Sequence, residues 1–407
     1  MNVATRARSF TPIAMPGVQT RLTPEEEQVL LGVLRNASSL SVGVGGAPEN
    51  DAFERDFQQF VGSADAVAVN SCTSALELAA MLSGIGPGDE VILPAHTFVA
   101  SAVPFARTGA KLRWADIDPE TRLISAESVA RLINERTKLL LAVHLYGLPA
   151  DMDALMTLAQ RHDLIVVEDC AQAPGAKYRD RRVGSIGHFG CFSFQTHKNI
   201  QTLGEGGMLT LSDPELGEQA RRMRWMGIWH WQGERQHDWI PAGSDIVEPS
   251  PGRWPMNYCM GEPNAAVGRQ MLSRLDDINS QRRHQAARFV NQLRDHPELN
   301  FQRVPEECEP SYHLLAARYD GEEFGQHRDD LMLLLRDKYQ LKCIVQYWPL
   351  NRSELFQKFG FSEADVPETD RYYDNMISFP WWSDMSDELL DDMADRTRSA
   401  LDELRQR

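Results

Sequence analysis

Between residues 66 and 167, short apolar runs take turns with stretches of helical spacing, and that alternation limits the fold more than any other feature. Runs at 66–69, 91–93, 112–114, 139–143 and 164–167 have the length of strands. The stretches at 75–82 and 152–161 repeat apolar residues with a helical period. Such a pattern predicts a mostly parallel sheet with helices on its faces, because a parallel neighbour can be reached only by a crossover. Strands this apolar are buried on both sides. Groups that do chemistry should then collect at their carboxyl ends, where the chain leaves the sheet.

Upstream, Leu22-Thr23-Pro24-Glu25-Glu26-Glu27 opens a helix: Thr23 can cap, Pro24 suits the first turn, and the acids favour the positive end of the helix dipole. Gly43, Gly45, Gly46 and Pro48 break that pattern. Beyond residue 260 the rhythm changes to a long helical stretch at 265–293, then mixed segments, then an acidic helix at 387–404. The chain therefore divides into a mobile N-terminal arm (1–16), a large domain (17–260) and a smaller C-terminal domain (261–407). A chain of 407 residues with a formal charge of -16 lacks the basic footprint that nucleic acid or an anionic membrane surface requires. Its six cysteines, Cys72, Cys170, Cys191, Cys259, Cys308 and Cys343, are scattered without a CxxC pair, which suggests neither a disulfide framework nor a zinc site. With no apolar stretch long enough to span a bilayer, and Arg6 and Arg8 not followed by a signal-peptide core, the expected location is the cytoplasm.

Three polar clusters follow apolar runs. Ile165-Val166-Val167-Glu168-Asp169-Cys170-Ala171-Gln172 is a strand that ends in carboxylates. A carboxylate at that depth needs a partner; a protonated pyridine nitrogen serves, and so does a plain helix cap. Cys191-Phe192-Ser193-Phe194-Gln195-Thr196-His197-Lys198-Asn199 precedes Gly204-Glu205-Gly206-Gly207 and places a lysine on a turn among small polar groups. Such a lysine is a nucleophile if burial lowers its pKa, and an ordinary surface residue otherwise. Asn70-Ser71-Cys72-Thr73-Ser74-Ala75 lies between a strand and a helix, where hydroxyls and free amides form an N-cap, an anion site, or both. No GxGxxG, Walker lysine or HExxH is present, so nicotinamide, P-loop and zincin readings lose support.

In this order, with Phe98 in Pro94-Ala95-His96-Thr97-Phe98 and with Val143-His144-Leu145-Tyr146-Gly147 between them, the clusters resemble the DegT/StrS family of sugar aminotransferases from about Met15 onward. That family is a branch of the fold-type I enzymes dependent on pyridoxal 5′-phosphate (PLP). The resemblance implies an α/β fold: a large domain with a mostly parallel mixed sheet sandwiched by helices, and a smaller C-terminal α+β domain. It makes Lys198 the Schiff-base lysine and Asp169 the partner of the ring nitrogen. Gln172 becomes a contact on the phenolic-oxygen side, Phe98 the stacking aromatic, and Thr73, Ser74 and Ser193 phosphate ligands. It also implies a homodimer with shared active sites, in which Asn257 of Pro255-Met256-Asn257-Tyr258 reaches the neighbour's phosphate.

Two departures bear on substrate. Cys259 stands where relatives carry a basic residue, and Val345-Gln346-Tyr347 replaces a Val-His-Tyr pattern. Trp225, Trp229, Trp231, Trp239 and Trp254, beside His230, Arg235 and His237, read either as a sugar platform or as packing at a dimer contact. Tyr312 and His313 match a family position near the substrate. The implied function is transfer of an amino group from glutamate or glutamine to a keto sugar, by resemblance nucleotide-linked, in amino-sugar or secondary-metabolite biosynthesis. A free keto-cyclitol or an aminobenzoate-type precursor is the alternative acceptor. A PLP dehydratase fits less well, since those relatives carry histidine where Lys198 stands. A PLP-binding sensor without turnover is the alternative from another class.

Overall fold

The computed structural model describes residues 10–18, 20–37, 39–40, 47–229 and 245–406. Seven strands form the central sheet: β1 (Asp65–Val69), β2 (Glu90–Pro94), β3 (Lys111–Ala115), β4 (Thr137–Val143), β5 (Ile165–Asp169), β6 (Phe189–Ser193) and β7 (Gly207–Leu211). Their spatial order is β1-β7-β6-β5-β4-β2-β3. Only β7 runs against its neighbours; every other pairing is parallel. The five apolar runs are β1 to β5, and the architecture is the expected α/β sandwich. Period-2 alternation divides each strand between two layers. Ala66 and Ala68 of β1 pack with Phe53, Phe57, Phe192 and Phe194 on one face, whereas Val67 and Val69 pack with Leu76, Leu93 and Leu140 on the other.

The first helix, Pro24–Asn36, begins with the cap that its sequence suggests: Thr23 accepts from the Glu26 N–H and Glu26 accepts from the Thr23 N–H. A second core lies in the C-terminal third. There β8 (Leu299–Phe301), β9 (Leu315–Tyr319) and β10 (Met376–Phe379) form an antiparallel sheet in the order β8-β9-β10. Helices Leu275–Gln292, Arg328–Asp337 and Asp387–Arg405 bury Phe289, Leu335 and Leu401 in this core with Trp381.

Two expectations need correction. The helical stretch at 265–293 is two helices, Glu262–Leu272 and Leu275–Gln292. Ala265, Val267 and Met271 of the first lie in one cluster with Phe53 and Phe57, and Glu262 accepts from the N–H groups of Glu49 and Asn50. A division at 260 therefore cuts through packed structure. The arm is not free over residues 10–16 either: Ile13 is buried in the C-terminal core, its N–H donates to Gln340 O, and its carbonyl accepts from Lys342 N–H. Residues 1–9 lie outside the described residues.

One buried carboxylate anchors the centre of the sheet. Glu168 accepts from the N–H groups of Gly184, Ile186 and Gly187 at 2.7–2.8 Å and from His144 Nε2 at 3.0 Å. Burial alone would raise its carboxyl, but these donors outweigh burial and hold it below its ordinary value of 4.5. A depressed folded pKa contributes stability above the unfolded value, and that stability is lost as pH falls through the folded one. We expect Glu168→Ala, which strands four donors, to lose roughly 3–5 kcal/mol of stability in urea unfolding at neutral pH. The difference from wild type should shrink as the pH is lowered below about 4.5. An unchanged urea midpoint at neutral pH would contradict this account.

Candidate active site

The carboxyl ends of β1, β2, β4, β5 and β6 open on one cavity of about 510 Å³. This is the size of a small-molecule site. From the side of the central sheet it is lined by Ser71 to Thr73, Thr97, Phe98, Ser101, Val143, Asp169, Gln172, Ser193 and Lys198; from the C-terminal third by His313, Gln346 and Tyr347. Val143, Asp169 and Ser193 are the last residues of β4, β5 and β6, the end at which parallel sheets place their sites.

Asp169 ends β5 on the face opposite Glu168. It is buried, with its Oδ2 accepting from Ser101 Oγ at 2.7 Å and its Oδ1 from Ala171 N–H at 3.0 Å. Both partners are neutral donors, and the side chain lines the cavity. Lys198 follows β6 in a turn closed by its own N–H donating to Gln195 O. Burial, the largest influence, pushes its amine below the ordinary 10.5, against Asp169 and Glu205, which favour the charged form. Glu205 also lines the cavity, and burial pushes its carboxyl up. His313 is held neutral by burial and then by the positive neighbours Lys198 and Arg282; its Nδ1 has no hydrogen-bond partner.

Of the residues singled out from sequence, Thr73, Phe98, Asp169, Gln172, Ser193 and Lys198 meet in this cavity. Phe98 is 51% exposed, with its ring 5.6 Å from that of Tyr347. Gln172 accepts from Tyr146 N–H at 2.8 Å and donates to Tyr347 Oη at 3.1 Å. Ser74 is not among the lining residues. Its Oγ donates to Asn70 Oδ1 at 2.6 Å, and its N–H is taken by the Ser71 cap, so the helix start consumes both groups. Asn257 also lies apart: it is exposed, bridged to Trp225, and accepts from Cys259 N–H. Trp231, Trp239, His230, Arg235 and His237 fall outside the described residues, and Trp254 is 88% exposed.

Sequence reasoning missed Ser101, Gln195 and Glu205 as lining groups, as well as Met15 from the supposed arm. Ser101, four residues after Thr97 and hydrogen-bonded to it at 2.8 Å, carried a spacing signal; Met15 carried none.

The family model of the DegT/DnrJ/EryC1/StrS aminotransferases matches residues 22–398. The chain belongs to this family. The Bacillus subtilis spore coat polysaccharide biosynthesis protein SpsC is 38% identical over 86% of this aminotransferase and 89% of its own length. The dTDP-3-amino-3,4,6-trideoxy-alpha-D-glucose transaminase of Streptomyces venezuelae is 34% identical over 82% of each chain. Among solved structures, an aminotransferase from Psychrobacter cryohalolentis superposes with a TM-score of 0.87 over 97% of this chain and all of that one, at 26% identity. The PLP form of Spr1654 from Streptococcus pneumoniae superposes at 0.84 over 96% of this chain and 100% of that one, at 25% identity. This aminotransferase is accordingly a PLP-dependent enzyme, and the sensor reading falls away. The donor set fits the cofactor. An amine of lowered pKa and a carboxylate with neutral partners open on one space, with a half-exposed aromatic ring between strands and hydroxyls beside the N-terminus of helix Cys72–Leu82.

The Glu168 cluster needs no ion to explain it. His144, Glu168 and Cys170 lie close enough to hold a metal, but Glu168 accepts four donors and His144 Nδ1 accepts from Ala150 N–H at 3.0 Å. Their ligand atoms are already engaged within the protein.

Proposed function

We propose that this aminotransferase moves an amino group from glutamate or glutamine to a keto sugar carried on a nucleotide. The observation that carries the reading is the shared cavity of Lys198 and Asp169. The relative that makes a dTDP-linked amino sugar supports the choice of acceptor. Lys198 would hold PLP covalently, Asp169 would balance a proton on its ring nitrogen, and Phe98 would cover its face. Thr73, Ser193 and the start of helix Cys72–Leu82 would take the phosphate, and Gln172 the phenolic-oxygen side. When bound, PLP supplies the electron sink that makes the α-hydrogen of an amino acid acidic.

The chain's own groups do the rest. Lys198 Nζ, once released by the donor's amine, would take the proton from the α-carbon as a general base, a role that burial favours by lowering its pKa. Asp169, whose oxygens accept only from Ser101 Oγ and Ala171 N–H among the described residues, would hold the proton on the ring nitrogen. Reversing these roles with a keto substrate returns the amino group, which gives ping-pong kinetics.

The reading includes a homodimer. Met226, Ile246, Trp254 and Met256 form exposed apolar surface around Asn257, and surface of this kind marks a contact site. Asn257 would then serve the phosphate in the partner's cavity. The compartment we propose is the cytoplasm, which the six free cysteines support. No described helix is long and apolar enough to cross a membrane.

Borohydride reduction of the PLP-loaded protein should leave a pyridoxyl group on the peptide containing Lys198, and none on Lys198→Ala. Label found on another lysine removes Lys198 from its role. Asp169→Asn should retain PLP yet lose at least about 100-fold in kcat with a keto-sugar nucleotide; undiminished turnover would refute its pairing with the ring. Co-expressed Lys198→Ala and Asn257→Ala chains should recover up to about a quarter of wild-type activity, because one site in each mixed dimer is intact. No recovery above the Asn257→Ala level would sink the shared-site proposal.

A further inference from the structure

Tyr146 lies in the short turn Leu145–Gly147 that follows β4, with φ 63, a left-handed conformation that costs a bulky residue about 1 kcal/mol. Something must hold it there. Its N–H donates to Gln172 Oε1 at 2.8 Å, and its hydroxyl donates to Gln346 O at 2.5 Å. Gln172 Nε2 donates in turn to Tyr347 Oη at 3.1 Å. The peptide link between Gln346 and Tyr347 closes a ring, three of whose four members line the cavity. Tyr146 is the fourth, and it lies outside.

The ring has a support and an extension. The Tyr146 hydroxyl hydrogen goes to Gln346, so the 2.8 Å contact with His96 Nε2 must be a donation from a neutral imidazole. Burial holds His96 at a pKa of about 3, and it keeps that hydrogen throughout the working range. Gly147 then grips the other C-terminal segment. A Cβ on this residue, at φ 96, would lie 2.5 Å from Ser311 Oγ and 2.9 Å from His313 N. Its carbonyl accepts from Ser311 N–H at 2.9 Å, while Ser311 Oγ donates to Gln172 O at 3.0 Å. One two-residue turn of the large domain thus fixes both segments that bring His313, Gln346 and Tyr347 to the cavity.

We propose that Tyr146 is a positioning residue for transamination: its hydroxyl bond to Gln346 places Tyr347 against Gln172, and so orients Gln172 within the cavity. This inference rests on the PLP aminotransferase reading and adds a residue that touches neither cofactor nor substrate. A tyrosine kept only for packing would lose nothing but stability when its hydroxyl is removed.

The test uses PLP-loaded wild type, Tyr146→Phe, Tyr347→Phe and the double variant. Two quantities are read: visible circular dichroism of the bound cofactor, and the single-turnover rate at which glutamate bleaches its absorbance, as a function of glutamate concentration. Tyr146→Phe should lower the limiting rate about tenfold while half-saturation moves less than about twofold, with a diminished dichroic band. Tyr347→Phe should do the same. The double variant should lose no more than about twofold beyond the worse single one, because both substitutions open the same ring. Additive losses, or a Tyr146→Phe protein with wild-type rate and dichroism, would overturn the proposal. If glutamate leaves the wild-type band untouched, the donor reading fails instead; the ring is then judged by dichroism alone, where equal bands in all four proteins count against it. If Tyr146→Phe does not fold, Tyr347→Phe opens the ring from its other side, and an unaltered band and rate there overturn it.

Discussion

The end of β5 places two adjacent carboxylates on opposite faces of a buried strand, and the rest of the site depends on their being treated differently. Glu168 receives three backbone N–H groups and an imidazole, so its charge is neutralised where it stands and binds the 184–187 loop to the sheet. Asp169 receives only a hydroxyl and one N–H. A strand reverses side at every residue, so one carboxylate can build the floor while its neighbour keeps an unspent charge in the cavity. Exchanging their surroundings would abolish both functions at once.

The same economy of partners shapes the other side of the cavity. Lys198 and His313 are both kept toward their neutral forms by burial, and His313 Nδ1 has no hydrogen-bond partner. Groups left in that condition cost stability in the protein alone, which makes sense only if something else satisfies them. Glu205 adds a carboxyl pushed upward by burial, so the cavity holds acid, amine and imidazole that all titrate away from their ordinary ranges. Such clustering is characteristic of sites that move protons.

Sequence makes the sheet and half of the cavity legible because both are written in local patterns. Apolar runs of strand length locate β1 to β5, and the polar clusters contain Asp169 and Gln172 at the end of β5 and Ser193 and Lys198 at and after the end of β6. Ser74, a phosphate ligand by the family resemblance, has its hydroxyl hydrogen-bonded to Asn70 and Ser71 at the helix start. What remains hidden depends on distant partners. Tyr146 meets Gln346 across 200 positions, a pairing that no periodicity announces. Ile13 is similar, since nothing in an arginine-bearing N-terminal stretch signals that it bridges to Leu341. Helix Glu262–Leu272 reads as part of one long helix because the break at Ser273–Arg274 contains neither glycine nor proline.

The two departures from the family pattern acquire different meanings once they are placed. Gln346 lines the cavity, and its carbonyl is tied to Tyr146, so its side chain can vary while its backbone stays fixed. Cys259 lies outside the cavity, beside Asn257 on the exposed edge, with its thiol directed at Arg224 O. In the homodimer proposed above a basic residue at that edge would face the partner's cavity, whereas residue 346 lines the chain's own. The ends of the central strands therefore contribute the groups that suit the cofactor, and the segments holding His313, Leu314, Gln346 and Tyr347 line the rest of the cavity. The turn at Tyr146–Gly147 ties both of these segments to the strand ends, Tyr146 through Gln346 O and Gly147 through Ser311 N–H, which keeps them in register against the sheet.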